Sequence, residues 1–243
     1  MMFSQWLRSL QAPRGRASTS KGRRPRKPAS RTRLILELLE ERMVLSPYIV
    51  TTTADSGLGS LRDAITQINA DTGHVLYASP SNPSVDEIDF AITAASDTGG
   101  GFNATTGVAT IAPLSELPWL TNSLLIDGYT QAGASKNTLL QGDNAVLKIQ
   151  LDENAVSALD YGLGVVANNC TIRGLVVNDL TKNGTFAIYL LGTGDHVEGN
   201  FIGTDVSGTT TVGDGTGTTG VGFNVSAGVV GGTTPDTRNI IAG

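Results

Sequence analysis

The chain has 243 residues, of which 40% are hydrophobic, 16% charged and 5% aromatic, with 30 glycines. That balance permits a sizeable core, disfavours a helical bundle rich in Ala, Leu, Glu and Lys, and suits short β-branched strands separated by glycine turns. The net charge of −5 divides unevenly: residues 1–46 carry 11 Lys or Arg against 3 Glu, a net of +8, and residues 47–243 carry 6 against 19 acidic residues, a net of −13. The acidic body argues against nucleic-acid binding by phosphate neutralisation. The basic arm suits anionic lipid, nucleic acid or an acidic polymer.

Residues 1–33 are rich in Pro, Arg, Lys, Ser and Gly and are expected to form a disordered basic arm. The stretch FSQWLRSLQ is broken by Gln5 and Arg8 and lacks a secretory apolar core, and no apolar run follows Arg23–Arg24. No segment reaches the ~18 apolar residues of a membrane-spanning helix. Residues 34–46, LILELLEERMVLS, place Leu34, Ile35, Leu38, Leu39 and Leu45 on one face of a short helix ended by Pro47. A helix this short is marginal alone and needs a partner surface or a receptor that reads it. Within it, Leu36, Glu37, Leu39, Glu40, Arg42, Leu45 and Ser46 fill a pattern LE-x-LE-x-R-x-LL-S, with Val44 replacing one Leu. This segment resembles the LEPR-XLL-type motif near the start of large planctomycete surface and exported proteins. The resemblance implies export or delivery to the cell surface.

Residues 47–125 read as a cap followed by the first strands. Tyr48–Thr53 is β-branched and reads as a strand. Ser60 is an N-cap with Asp63 in a capping-box-like position, and Leu61, Ala64, Ile65 and Ile68 form one face of a helix ending at Asp71–Gly73. Ser60, Leu61, Arg62, Ala64, Ile65, Asn69 and Ala70 resemble the CSLREA-type segment of bacterial β-helix proteins, with Gly59 where the fuller form has Cys. Short strands follow at 74–78, 87–92, 108–112 and 123–128, divided by loops at 79–84 and 96–107. Pro118, Ile126, Asp127, Gly128, Thr130 and Gln131 resemble the section that leads into the repeats of the same proteins. Trp119 reads as a core or lid residue, with sugar stacking as the alternative.

Residues 126–243 carry the repeats. Ile126, Ile149, Ile172 and Val197 are spaced 23, 23 and 25 residues apart, the range of stacked repeats. Three sets of strings recur: 163–167, 186–192 and 221–227; then 171–174, 196–199 and 229–232; then 175–179, 201–205 and 239–243. Three short strands per repeat with Gly or Asn at the bends describe an all-β fold, a right-handed parallel β-helix solenoid with a small N-terminal capping helix. Residues 206–220 and 233–238 are expected to bulge as loops. Asn168, Asn169, Asn178, Asn200 and Asn239 fall at strand ends and read as structural. The single Cys170 excludes an intrachain disulfide and reads as a small core residue. The strings GNFIGTD and GGTTP-x-x-RN-I-I resemble bacterial β-helix proteins of the pectin-lyase-like class. The pattern stops at NIIAG without a polar cap, which predicts either a longer parent protein or a partner covering that end.

The class includes polysaccharide lyases and hydrolases, which need paired carboxylates or a Ca²⁺-assisted base. Asp179 and Asp205 end equivalent strings and are the candidate catalytic pair; Asp205 and Asp214 are the candidate Ca²⁺ ligands. Arg173 and Lys182 are the basic residues of the clear repeats, with no acidic cluster beside either in sequence, and His74 and His196 lie 122 residues apart. Phosphate-loop, zinc-protease and serine-triad patterns are absent, as are the pectinase strings NTD, GHG and RIK, and no cofactor is implied. The sequence therefore predicts a non-catalytic secreted or cell-surface scaffold for adhesion or for contact with polysaccharide or cell-envelope components. A carbohydrate-active lyase or hydrolase is the alternative, and the oligomeric state is left open.

Overall fold

The computed structural model describes residues 47–71, 85–156, 160–180, 184–213, 218–224 and 228–242. The basic arm, the 34–46 motif, the strand expected at 74–78, His74, Lys182 and Asp214 lie outside the described residues. Among the described residues, fourteen short strands and one α-helix appear in the order β1 (Tyr48–Val50), α1 (Leu61–Ala70), β2 (Asp86–Phe90), β3 (Ala109–Ile111), β4 (Leu124–Asp127), β5 (Ile149–Asp152) and β6 (Tyr161–Val165). They continue with β7 (Thr171–Arg173), β8 (Leu175–Asn178), β9 (Phe186–Leu190), β10 (His196–Glu198), β11 (Phe201–Ile202), β12 (Thr219–Phe223), β13 (Val229–Val230) and β14 (Ile240–Ile241). None of the described helices is long and apolar enough to cross a membrane.

The strands form three sheets in which every pairing between named strands is parallel. The first runs β1-β2-β4-β7-β10-β13, the second β3-β5-β8-β11-β14 and the third β6-β9-β12. From β4 onward the chain visits first, second and third sheet in rotation. Alternation along each strand turns Ile88, Ile126, Ile172 and Val197 of the first sheet inward, one beside the next. They meet Leu175, Val177 and Ile202 of the second sheet and Leu163 and Ile188 of the third in one buried cluster. Each such side chain contributes roughly 1.5–3 kcal/mol.

Two expectations about register are corrected. Ile149 does not belong to the column of Ile126, Ile172 and Val197; it lies in the second sheet, opposite Ala109 and Leu175. One round from Ile126 to Ile172 takes 46 residues, and the next, from Ile172 to Val197, takes 25. The even spacing arose because strands of both sheets carry a buried aliphatic residue at or near their start. In the second sheet, Val176 stands opposite Phe201 and Val177 opposite Ile202. The strings 175–179 and 201–205 are therefore offset by one residue, and Asp179 does not stand level with Asp205.

Over β8, β11 and β14 the second sheet is apolar on both faces. Val176, Phe201 and Ile240 point away from the main core, into a smaller cluster with Leu147, Tyr129, Ala145 and Val206. This burial on both sides explains why β8 reads as a continuous aliphatic run rather than an alternating one. The Tyr129 ring also crosses the bend between the first and second sheets. Gly174 and Gly199 take left-handed φ values of 73° and 64° there, and a Cβ on either would fall within 3 Å of Tyr129. The Tyr129 hydroxyl donates to the Gly199 carbonyl at 2.7 Å.

Asparagines tie successive rounds together. Asn200 is fully buried; its amide donates to the Ile172 carbonyl at 2.9 Å and accepts from the Leu175 N–H at 3.0 Å. Asn239 repeats the pattern one round on, accepting from the Asn200 N–H at 2.8 Å and donating to the Val197 carbonyl at 2.8 Å.

The cap follows the sequence closely. The Ser60 hydroxyl accepts from the Asp63 N–H, and the Asp63 carboxylate accepts from the Gly59 N–H and the Tyr48 hydroxyl. Leu61, Ala64, Ile65 and Ile68 are buried in the main cluster. The outer side of α1 is stapled to residues 114–122. Arg62 pairs with Asp55 at 2.7 Å and donates to the carbonyls of Ser115 and Glu116. Asn69 exchanges bonds with Trp119 and Thr121, and Asn122 donates to the carbonyls of Ile68 and Asp71 at the helix end.

Candidate functional site

In four strands of the first sheet, β2, β4, β7 and β10, an inward aliphatic residue is followed by a charged one. Ile88 precedes Asp89, Ile126 precedes Asp127, Ile172 precedes Arg173 and Val197 precedes Glu198. The register sets these four charged residues level on β2, β4, β7 and β10, and alternation turns them to the outer face. Arg173 bonds Asp127 at 2.6 Å and approaches Glu198 at 3.8 Å. The second Asp127 oxygen accepts from the Tyr129 N–H at 3.0 Å, so both of its oxygens are engaged. Burial works against the charge on Arg173. The bond and charge of Asp127, with the charges of Glu198 and Glu87, outweigh it and raise its pKa further.

Asp89 has no such partner. Burial pushes its carboxyl up to about 7, helped by the charges of Glu87 and Asp127 and by a hydrogen bond with Glu87, while Arg173 pulls the other way. Glu87, two residues earlier on the same face, is only 5% exposed. Among the described residues, Glu87 Oε2, Asp89 Oδ1 and Arg173 Nε are buried without a hydrogen-bond partner. Arg173, with no acidic cluster beside it in sequence, thus gains acidic neighbours in space. They come from strands distant in sequence and only the register gathers them. The recurring aliphatic–charged dipeptide was the available signal.

The predicted site residues occupy other places. The Asp205 carboxylate is turned into its own loop. It accepts from the Ser207 hydroxyl at 2.7 Å and from the N–H groups of Ser207, Thr209 and Thr210, and these bonds, the Ser207 hydroxyl foremost, lower its pKa. Asp179 sits in a left-handed conformation at φ 62°, with its pKa raised by partial burial and by the charge of Asp152. The electrostatic neighbour of Asp179 is therefore Asp152. His196 is exposed at the start of β10. Cys170 is a buried free thiol pushed up to about 12 by burial, with Asp195 adding to the rise.

Trp119 is a lid. Leu120 beside it bonds to β6, accepting from the Val166 N–H at 3.0 Å and donating to the Gly164 carbonyl at 2.8 Å. The indole lies 4.1 Å from the Tyr161 ring and 6.1 Å from Tyr189, and a Cβ on Gly164 would stand 2.5 Å from it. Beyond Tyr189 the Phe186 ring stacks at 4.5 Å. The rings pack on one another along the third sheet.

Two further features escaped the sequence. Glu153 is 2% exposed, neither carboxyl oxygen has a partner among the described residues, and burial pushes its pKa up to about 8, with Asp152 adding to the rise. A cavity of about 110 Å³ opens beside the Asp205 loop, lined by Leu180, Ile202, Val212, Thr218, Thr219 and Ile241 among others. Among the described residues, no three His, Cys, Asp or Glu side chains are grouped to hold a metal ion. No protein-family model, curated protein or solved structure matches the chain.

Proposed function

We propose that the chain is a right-handed parallel β-helix scaffold of a secreted or cell-surface protein, delivered there through its 34–46 motif and non-catalytic, serving adhesion or contact with polysaccharide of the cell envelope. The observation that carries this reading is the rotation of the chain through three parallel sheets, with Asn200 and Asn239 bonding each round to the next. Such stacking makes a rigid rod whose loops are free to vary, which is how repeat proteins build contact surfaces. The self-contained bonding of Asp205 supports it, because a carboxylate that closes its own loop is a structural group.

The second reading, a carbohydrate-active lyase or hydrolase, draws on the acidic row around Arg173. Asp89 holds a proton near neutrality, as a general acid requires. Its neighbour Asp127 has both oxygens engaged and is poorly placed to act as base or nucleophile. One experiment separates the two readings. The full-length protein is incubated with a panel of neutral and acidic polysaccharides with and without Ca²⁺, and both retention on the immobilised glycan and release of reducing or unsaturated ends are followed. The scaffold reading expects retention without release. Release that disappears in Asp89→Asn would establish the enzyme, and neither retention nor release would remove glycan contact from the proposal.

A further inference from the structure

The outer face of the third sheet alternates aromatic residues with glycine. Leu163, Val165, Ile188 and Leu190 belong to the main core, so the residues between them, Gly164 and Tyr189, turn outward. Gly164 on β6, Tyr189 on β9 and Gly222 on β12 stand level. Leu120 bridges to Val165, so Trp119 continues that line ahead of Gly164. The line reads Trp119, Gly164, Tyr189, Gly222, with ~4.8 Å between neighbouring backbones. Rings occupy the space over both glycines. A Cβ on Gly164 would stand 2.5 Å from the Trp119 ring, and one on Gly222 would stand 2.3 Å from Phe186. The Phe186 ring stacks on Tyr189 and so shares this outer face. The result is a row across the strands, Trp119, Tyr189 and Phe186, with successive ring centroids 6.1 and 4.5 Å apart. All three rings stay partly exposed.

We propose that this row is a binding strip for a neutral polysaccharide, whose sugar rings lie against Trp119, Tyr189 and Phe186. The strip rests on the glycan-contact reading and gives it a place in the fold and a ligand class. A sugar ring presents C–H groups on its faces and hydroxyls at its edge, so it packs on aromatic rings and hydrogen-bonds beside them. The exposed Thr219, level with Phe186, supplies a hydroxyl there. Charge decides among the possible partners. Residues 47–243 carry 6 Lys or Arg against 19 acidic residues. At the start of the row, burial and then the charges of Glu116 and Asp160 push the Tyr161 hydroxyl up to about 12. A nucleic-acid strand stacks its bases on aromatic rings but needs a positive groove for its phosphates, and an anionic glycan meets the same repulsion. A protein partner wants a contiguous apolar patch, whereas the outward neighbours of Tyr189 on both flanking strands are glycine.

Tryptophan supplies a direct reporter. The chain has two, Trp6 and Trp119, so the full-length Trp6→Phe protein emits from Trp119 alone. Its emission and its quenching by acrylamide are followed on adding neutral β-glucan, xylan and mannan and, separately, polygalacturonate. Retention on the same glycans is measured by affinity electrophoresis for the wild type, Tyr189→Ala, Phe186→Ala and Tyr189→Phe, with the Tm of each recorded. A neutral glycan is expected to shift Trp119 emission to the blue and to shield it from acrylamide. Each alanine variant is expected to weaken retention about tenfold, the scale of one lost stacking contact, while Tyr189→Phe retains it. Added salt should leave retention unchanged, since no charge pairs with the ligand. Retention that survives both alanine variants with Trp119 emission unmoved would overturn the strip and leave glycan contact elsewhere on the molecule. Retention of polygalacturonate alone would overturn the neutral ligand. Retention of no glycan by the wild type would overturn the strip and the glycan-contact reading together. Should an alanine variant fail to fold, Trp119 emission with Tyr189 and Phe186 intact still decides.

Discussion

Asn200 shows most directly how a side chain fixes the fold. It sits at a bend, fully buried, and satisfies the backbone of the preceding round on both its donor and acceptor sides. Asn200→Ala would leave the Leu175 N–H unpaired in the interior and remove one bond from the Ile172 carbonyl, which the parallel β7–β10 ladder also serves. An orphaned buried group costs about 1–3 kcal/mol, the loss expected in urea unfolding, and a loss under ~0.5 kcal/mol would show that the amide is dispensable. Glu153 makes the opposite prediction. Its carboxyl is buried, unpartnered among the described residues and raised to about 8 from an ordinary 4.5, so its favourable contribution is full below about 4.5, falls with rising pH, and is gone above about 8. Glu153→Gln should therefore match the wild type near pH 4 and exceed it by roughly 2–4 kcal/mol at pH 8.5. Chemical denaturation at the two pH values checks this; an equal difference at both would locate the effect in packing instead. The asparagines were legible from their places at strand ends. Glu153 was not, because nothing in DENAV distinguishes a carboxyl that ends up covered from one in water.

At the scale of elements, the cap was the most legible part of the chain. Ser60, Asp63 and the Leu61, Ala64, Ile65 and Ile68 face all carry local information, and all occupy the expected positions. Removing the Ser60 hydroxyl in Ser60→Ala should cost about 1 kcal/mol by the capping bond alone. The loss should appear as faster exchange of the first-turn amides of α1, and unchanged protection there would contradict a capping role. The bends were legible only as glycines. Gly199 is required because its φ is positive and because Tyr129 and the Asp236 carbonyl fill the space a side chain would enter. A Gly199→Ala substitution combines left-handed strain of roughly 1–2 kcal/mol with that close approach, and a Tm drop of at least ~4 °C is expected. A Tm within a degree of wild type would mean that the bend can relax. From β6 onward the strands were found with their partners, since the three recurring sets of strings fall together as β6-β9-β12, β7-β10-β13 and β8-β11-β14; the misassigned strand was β5. Ile126 and Ile149 open similar strings yet lie in different sheets, because each sheet buries alternate aliphatic residues in the same way. The acidic row was partly hidden: Asp127, Arg173 and Glu198 follow the aliphatic residues already aligned in sequence, whereas Asp89 joins them only once β2 is known to pair with β4.

For the molecule as a whole, a chain that rotates through three parallel sheets makes strand register the quantity from which everything else follows. The core columns, the asparagine bonds and the acidic row all require that residues one round apart stand side by side. Oxidative cross-linking of paired cysteines measures this directly. His196 and Val229 are both exposed and stand level on β10 and β13 although 33 residues separate them. Strands about 4.8 Å apart lie within reach of a disulfide. The double variant His196→Cys, Val229→Cys is predicted to close rapidly under mild oxidation, while His196→Cys, Ile241→Cys, which places the second thiol on the second sheet, stays open. Failure of the first pair to close, or equal closure of both, would contradict the account.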